Sequence, residues 1–220
     1  MDESRTSVFD ELAVVGKAFA SAKRLEIVEL LAQSEHSVDE VVRATGQGLS
    51  TVSAHLQILR AANLVRTRRS GTRVIYRLAG PDVAALHALL GSVARRHSAD
   101  VGAALDAYLG TGGGEVHEVS REELTARMRE RSVTLLDVRP AQEFHSAHIP
   151  GAVSMPLAEL AARLGEVAAD CSVVAYCRGA YCVMAHDAVT LIGAQGRTAA
   201  RLQDGMLEWR LAGLPVAAGA

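Results

Sequence analysis

The chain has 220 residues, enough for two small domains or one larger one, and 49% of them are hydrophobic against 22% charged, which excludes global disorder. No apolar run approaches the roughly 18 residues of a membrane helix, and Met1-Asp2-Glu3-Ser4 lacks the basic and then apolar pattern of a signal peptide. Three clustered cysteines and a formal net charge of -2 exclude a disulfide framework and a strongly basic protein, so the expectation is a cytoplasmic protein with no membrane partner.

Helical apolar spacing runs from Val8 to Ala20 and from Arg24 to Ala32. Ser37 with Glu40 predicts a capping box opening a helix over Val38 to Ala44, which Gly46 stops. A further helix over Leu49 to Leu59 puts Val52, Leu56 and Leu59 on one face, and Asn63 sits where a left-handed C-terminal residue is needed. Two β-prone runs, Leu64 to Arg69 and Thr72 to Leu78, flank Ser70-Gly71 and predict a hairpin. Asp82 to Tyr108 is expected to be one long helix.

Two short helices with a tight turn, followed by a basic hairpin, predict a winged helix-turn-helix. From Val41 to Pro81 there is no acidic residue but seven arginines, the pattern of a face that meets a polyanion or of a solvated basic surface. The outward side of the second short helix offers Ser50, Thr51, Ser53, His55 and Gln57, compact groups suited to base edges and phosphates in a major groove. The hairpin would bring Arg68, Arg69 and Arg73 to the adjacent backbone of double-stranded DNA. Protein contact is the other use of such a fold.

The run Leu49-Ser50-Thr51-Val52-Ser53-Ala54-His55-Leu56, with Leu59 and Ala62-Asn63-Leu64-Val65, resembles the ArsR/SmtB family over about residues 5–108. The resemblance implies a homodimer built by the first and last helices, a two-fold DNA operator, and repression relieved at a sensor site. A cysteine pair of the kind many members use is absent from this half. His87, His97 and Asp100 only partly match another family metal site, because Ala85 stands at its first Asp position, so no metal ligands are assigned.

Gly110-Thr111-Gly112-Gly113-Gly114 is too glycine-rich for a helix or strand interior and marks a linker. The expected division is 1–109, 110–114 and 115–220. Beyond the linker, a helix capped by Ser120 with Glu123 is followed by a buried strand over Val133 to Arg139 and a turn at His148-Ile149-Pro150-Gly151. A second buried strand, Ser172 to Tyr176, runs straight into Cys177-Arg178-Gly179-Ala180-Tyr181-Cys182, and a helix follows from Val183 to Ile192. A cysteine between a strand and a helix N-terminus is placed where the dipole and converging amides favour the thiolate. Gly179 lets the loop curl into an anion nest, and Arg178 adds a positive charge.

The set Asp137-Val138-Arg139, Glu143-Phe144, His148-Ile149-Pro150-Gly151-Ala152, Tyr176-Cys177-Arg178-Gly179 and Gly205-Met206-x-x-Trp209 resembles a rhodanese domain over about residues 115–217. The resemblance implies that Cys177 carries sulfane sulfur as a persulfide, with no other cofactor. Arg178 to Cys182 would then form the cradle, with Asp137 supporting it from the neighbouring strand and Arg139 and His148 structural. Ala180 stands where fused relatives often have proline, which bears on loop rigidity. Cys182 either resolves a persulfide or is a half-buried residue at the helix start; Cys171 is expected to be inert.

The fold expected is therefore a mainly α winged helix-turn-helix with a β-hairpin wing, then an α/β rhodanese-like domain with a parallel sheet. The function expected is a repressor that responds to a low-molecular-weight sulfur donor through Cys177. A sulfurtransferase tethered to DNA, a metal-responsive repressor and a repressor insensitive to metal and redox state are the alternatives.

Overall fold

The computed structural model describes residues 3–109, 116–168 and 171–219, so the glycine run at 110–114 lies outside the described residues. The chain forms two compact units, residues 1–90 and 91–220. In order, the elements up to the glycine run are α1 (Glu3–Phe19), α2 (Ala22–Gln33), β1 (His36–Ser37), α3 (Val38–Thr45), α4 (Leu49–Ala61), β2 (Val65–Ser70), β3 (Arg73–Leu78), α5 (Pro81–His97) and α6 (Ala99–Leu109). After it come β4 (Glu118–Val119), α7 (Arg121–Arg129), β5 (Val133–Asp137), α8 (Ala141–Ser146), β6 (Val153–Ser154), α9 (Leu157–Arg163), β7 (Ser172–Tyr176), α10 (Met184–Ala194), β8 (Ala199–Leu202) and α11 (Met206–Leu211).

In the first unit, the local signals act as their chemistry dictates. The Ser37 hydroxyl accepts the Glu40 amide while Glu40 accepts the Ser37 amide at 2.7 Å, closing the capping box of α3. That amide, more than any other group, holds the Glu40 carboxyl below its ordinary pKa. Gly46 ends α3 in the left-handed region with φ 64°. After α4, Asn63 has φ 57°, its amide bonds to Arg60 O, and the Leu64 amide bonds to Leu59 O, a complete Schellman ending. The helices pack on a core that includes Ile27, Val28, Val41, Val52, Leu56 and Leu59.

Two features depart from expectation. The wing is a three-stranded antiparallel sheet ordered β1-β3-β2, because His36 and Ser37 pair with Tyr76 and Ile75 before α3 begins. The single helix expected over Asp82 to Tyr108 is broken at Ser98 into α5 and α6. Arg95, Arg96 and His97 suit the C-terminal end of one macrodipole, and Asp100 suits the N-terminal end of the next, with a serine, a favoured N-cap residue, between them.

In the second unit, five parallel strands take the order β4-β8-β7-β5-β6, with the two-residue strands β4 and β6 at the edges. Alternation along the strands divides the core in two. Leu136, Val138, Val173, Ala175 and Cys177 face Leu160, Ala185, Ala188 and Ile192 of α9 and α10. Leu135, Val174 and Tyr176 face Leu124, Met206 and Trp209 of α7 and α11. Cys177 thus leaves the C-terminal end of the central strand on the α10 side, where open α/β sheets place their reactive groups.

The capping box gives a direct test. Ser37→Ala should lower the stability of the first unit by about 1 kcal/mol. Urea unfolding followed by circular dichroism reads that loss. The fluorescence of Trp209, the single tryptophan, reports the second unit and should keep its midpoint.

Candidate functional site

The α4 surface that faces away from the first core presents Ser50, Thr51 and Gln57 to solvent. Ser53 and His55 lie half-buried on its flanks, so the five expected DNA-contacting side chains do not form one equivalent stripe. Arg68, Arg69 and Arg73 are exposed on β2 and β3. The pairing register sets Arg66 directly opposite Arg77, a like-charge pair that costs stability unless something negative is near. Glu35, just outside the acid-free stretch, supplies it: its carboxylate lies 2.7 Å from Arg68 Nε and 3.7 Å from Arg77 Nε. Arg68 is therefore engaged by an intramolecular carboxylate, which the local charge pattern did not reveal. Both partners are well exposed, so the pair is weak and open to exchange with phosphate.

In the second unit, the Cys177 loop is held from behind by α11. The Met206 and Leu207 amides each donate at 2.9 Å, to Cys177 O and Arg178 O. Only glycine permits this approach, because a Cβ on Gly205 would come within 2.6 Å of Cys177 O and Arg178 C and collide with Gly179 N. Glu208, on the same helix, accepts the Gly205 amide at 2.9 Å and the Ala180 amide at 3.5 Å. Its carboxyl is pushed above the ordinary range by burial, opposed by those amides.

The charges around the loop differ from the expected cradle. Arg178 is bidentate with Glu143, at 2.6 and 3.1 Å, and Glu143 is fully buried in α8. Its positive charge is thus already matched by a carboxylate. Asp137 supports a different structure. Its carboxylate receives Arg139 Nε at 2.9 Å, Arg139 Nη2 at 2.6 Å and the Tyr176 hydroxyl at 2.6 Å. The hydroxyl in turn accepts the Ile149 amide at 3.1 Å, and Arg139 Nη2 also donates to Ala147 O. Strand alternation puts this network on the α11 side of the sheet, opposite Cys177, so Asp137 does not line the cradle. Burial works against the Arg139 cation, but its hydrogen bonds and charge contact with Asp137 outweigh that and keep its pKa above the ordinary value. Arg139 is structural, as is His148, stacked on Phe144 at 3.8 Å and bonded to Phe144 O.

The thiol itself is buried, with Cys177 2% exposed, and Sγ donates to Cys182 O at 3.2 Å. Burial pushes its pKa well above the ordinary thiol value, and the Cys182 thiol adds to the rise; the Ala185 and Gly179 amides pull the other way. Expectation and structure differ here in direction: the amides converge as expected, but desolvation outweighs them. Only one of them comes from the loop expected to form the cradle. Gly179 contributes one and Ala185, in α10, the other, while the Ala180 amide goes to Glu208 and the Cys182 amide to Gly179 O. Tyr181 is half-buried in the turn between them. Cys171 is exposed. Among the described residues, no three of His, Cys, Asp and Glu lie close enough to hold a metal ion, and no helix is long and apolar enough to cross a membrane.

Glu143, Glu208 and Ala185 are the site residues that sequence reasoning missed. Glu143 stood within a quoted motif, but nothing local shows that it meets Arg178, 35 positions on. Two measurements check this geometry. Asp137→Ala leaves Arg139 buried without its carboxylate and should destabilise the second unit by about 3–5 kcal/mol, read by urea unfolding of Trp209 fluorescence. Because the Cys177 pKa is raised in the folded state, its alkylation by iodoacetamide should accelerate only at higher pH than in the urea-unfolded chain. Mass spectrometry of the native and unfolded time courses resolves the two profiles.

The family comparisons agree with this architecture. Residues 21–67 match the bacterial regulatory protein, arsR family, and residues 120–212 match the rhodanese-like domain. The chain is 51% identical over 218 residues, 99% of its length and 95% of the relative's, to the HTH-type transcriptional regulator Rv0324 of Mycobacterium tuberculosis. A sulfurtransferase of Allochromatium vinosum is 30% identical over 105 residues, 47% of this chain and 96% of that protein. Among solved structures, the homodimeric winged helix-turn-helix DNA-binding domain of Mb0332 from Mycobacterium bovis is 47% identical, covering 44% of this chain and 91% of its own, with a TM-score of 0.42. With a winged helix-turn-helix in its first half, a rhodanese-like domain in its second and a near full-length relative, the chain belongs to the ArsR family of bacterial transcriptional regulators.

Proposed function

We propose that this regulator binds a DNA operator as a homodimer and changes its DNA affinity when a low-molecular-weight persulfide transfers sulfur to Cys177. The observation that carries the reading is the setting of that thiol: 2% exposed, with Sγ donating to Cys182 O and its adjacent arginine paired with Glu143. Burial disfavours the thiolate and slows reaction, which suits a sensor more than an enzyme that must turn over rapidly. The first 110 residues contain no cysteine, so cysteine-based sensing in this chain falls to the second domain.

Dimerisation is supported by uncovered apolar side chains on the two helices expected to build it. Val8, Phe9 and Leu12 of α1, and Leu86, Leu89 and Leu90 of α5, are all exposed. DNA contact is assigned to Ser50, Thr51, Ser53, His55 and Gln57 of α4 and to Arg68, Arg69 and Arg73 of the wing. The Mycobacterium bovis relative is described as a homodimeric winged helix-turn-helix DNA-binding domain. A second reading, a sulfurtransferase tethered to DNA, is favoured by the likeness to the Allochromatium vinosum sulfurtransferase.

Fluorescence anisotropy with DNA from the protein's own promoter, at one fixed salt concentration, separates them. Treatment of the full-length protein with glutathione persulfide should shift Kd by about tenfold, within the usual range of allosteric coupling, and Cys177→Ser should abolish the shift. An unchanged Kd, together with multiple turnovers of thiosulfate and cyanide, would replace sensing with catalysis.

A further inference from the structure

The loop that carries Cys177 ends in a second buried cysteine that the sulfur-accepting reading does not use. Cys182 is 8% exposed and packs in the same core as Cys177, and neither is in a disulfide. The intervening residues fold tightly: the Cys182 amide donates to Gly179 O at 3.1 Å, bringing the chain back on itself. Cys177 Sγ lies 3.2 Å from the Cys182 carbonyl oxygen, which puts that sulfur within reach of a side chain on the Cys182 Cα. The Cys182 thiol is close enough to be among the groups that raise the Cys177 pKa.

We propose that Cys182 is the resolving thiol of Cys177, and that persulfide signalling ends in a Cys177–Cys182 disulfide with release of hydrogen sulfide. The inference rests on the sulfur-accepting role of Cys177 argued above. In the first step, the Cys177 thiolate attacks the terminal sulfur of a low-molecular-weight persulfide, RSSH; the S–S bond of the donor breaks and RS⁻ leaves. In the second, the Cys182 thiolate attacks Cys177 Sγ, the new S–S bond forms, and HS⁻ leaves with the electron pair of the broken one. The two cysteine sulfurs are oxidised and the transferred sulfur is reduced, so dithiol plus RSSH gives disulfide, RSH and H₂S with no other oxidant.

Position favours Cys182 over any thiol from solution. An intramolecular nucleophile held at the site has a high effective concentration, whereas Cys177 is only 2% exposed to outside acceptors. Hydrosulfide is a good leaving group because it is a weaker base than an alkyl thiolate, and the more acidic thiol leaves faster. The disulfide also removes Sγ as a donor to Cys182 O, so the loop exchanges one set of contacts for another. That is the discrete change of state that a response in DNA affinity requires.

The test uses full-length protein carrying Cys171→Ser, since Cys171 and Cys177 share the tryptic peptide that ends at Arg178. After glutathione persulfide treatment, free thiols and persulfides are alkylated under denaturing conditions, released sulfide is measured, and tryptic peptides are weighed. Because Arg178 separates the two cysteines, a disulfide appears as two linked peptides. The expected result is linked peptides and one equivalent of sulfide, with Cys182→Ser and Cys182→Ala instead retaining one added sulfur on Cys177 and releasing none. Stable persulfide on Cys177 with Cys182 alkylated in the unmutated pair would overturn the resolving role and leave sulfur acceptance intact. No added sulfur and no linkage in any variant would overturn both.

Discussion

Arg139 ties together three segments of the second domain. It is among the largest side chains buried without residual exposure, and its cation can stay there only while its partners hold position. Those partners come from separate places: Asp137 at the end of β5, Tyr176 at the end of β7 through their shared carboxylate, and the Ala147 carbonyl before the turn at Pro150. Taking a guanidinium out of water costs several kcal/mol unless charge and hydrogen bonds offset it, so the three segments are bound into one arrangement. Cys177 is the next residue after Tyr176. Its placement follows from a network on the opposite face of the sheet.

The same economy of charge shapes the loop and the wing differently. At the loop, Arg178 and Glu143 form a largely buried pair, with the arginine side chain 18% exposed, and the arginine is held in place. At the wing, Glu35 bridges Arg68 and Arg77 in the open, where solvent screening leaves little net attraction. The pairing of Arg66 against Arg77 leaves a concentration of positive charge that one carboxylate does not balance. A phosphate backbone would supply such anions, with release of counterions, if the wing meets DNA as proposed. Buried, an ion pair fixes geometry; exposed, it holds its partners weakly.

What could be foreseen from the residues follows the range of the forces involved. The Ser37–Glu40 box, the left-handed Asn63 and the Ser70-Gly71 turn are local chemistry, and each stands within a residue or two of its expected place. So do β5 and β7, whose apolar runs reflect burial on both faces. The two-residue strand β1 exists only because β3 lies beside it, and no periodicity could announce it. The break at Ser98 was masked by continuous helical apolar spacing on either side. Site residues divide in the same way. Cys177 was legible from the strand that precedes it and the helix that follows. The partners of Arg178 and Asp137 were not legible, because Glu143 and Arg139 meet them through tertiary folding and strand facing.

Burial of the Cys177 thiol limits how it can react. Its thiolate population at neutral pH is small, so weak or transient electrophiles seldom find it in the reactive form. The small fraction that ionises is, by the same high pKa, intrinsically more nucleophilic. Gly205 and Glu208 pin the back of the loop that carries this thiol. Rigid support also keeps the Cys177 sulfur beside Cys182. Slow acceptance followed by fast local resolution would convert a graded chemical signal into a definite covalent state.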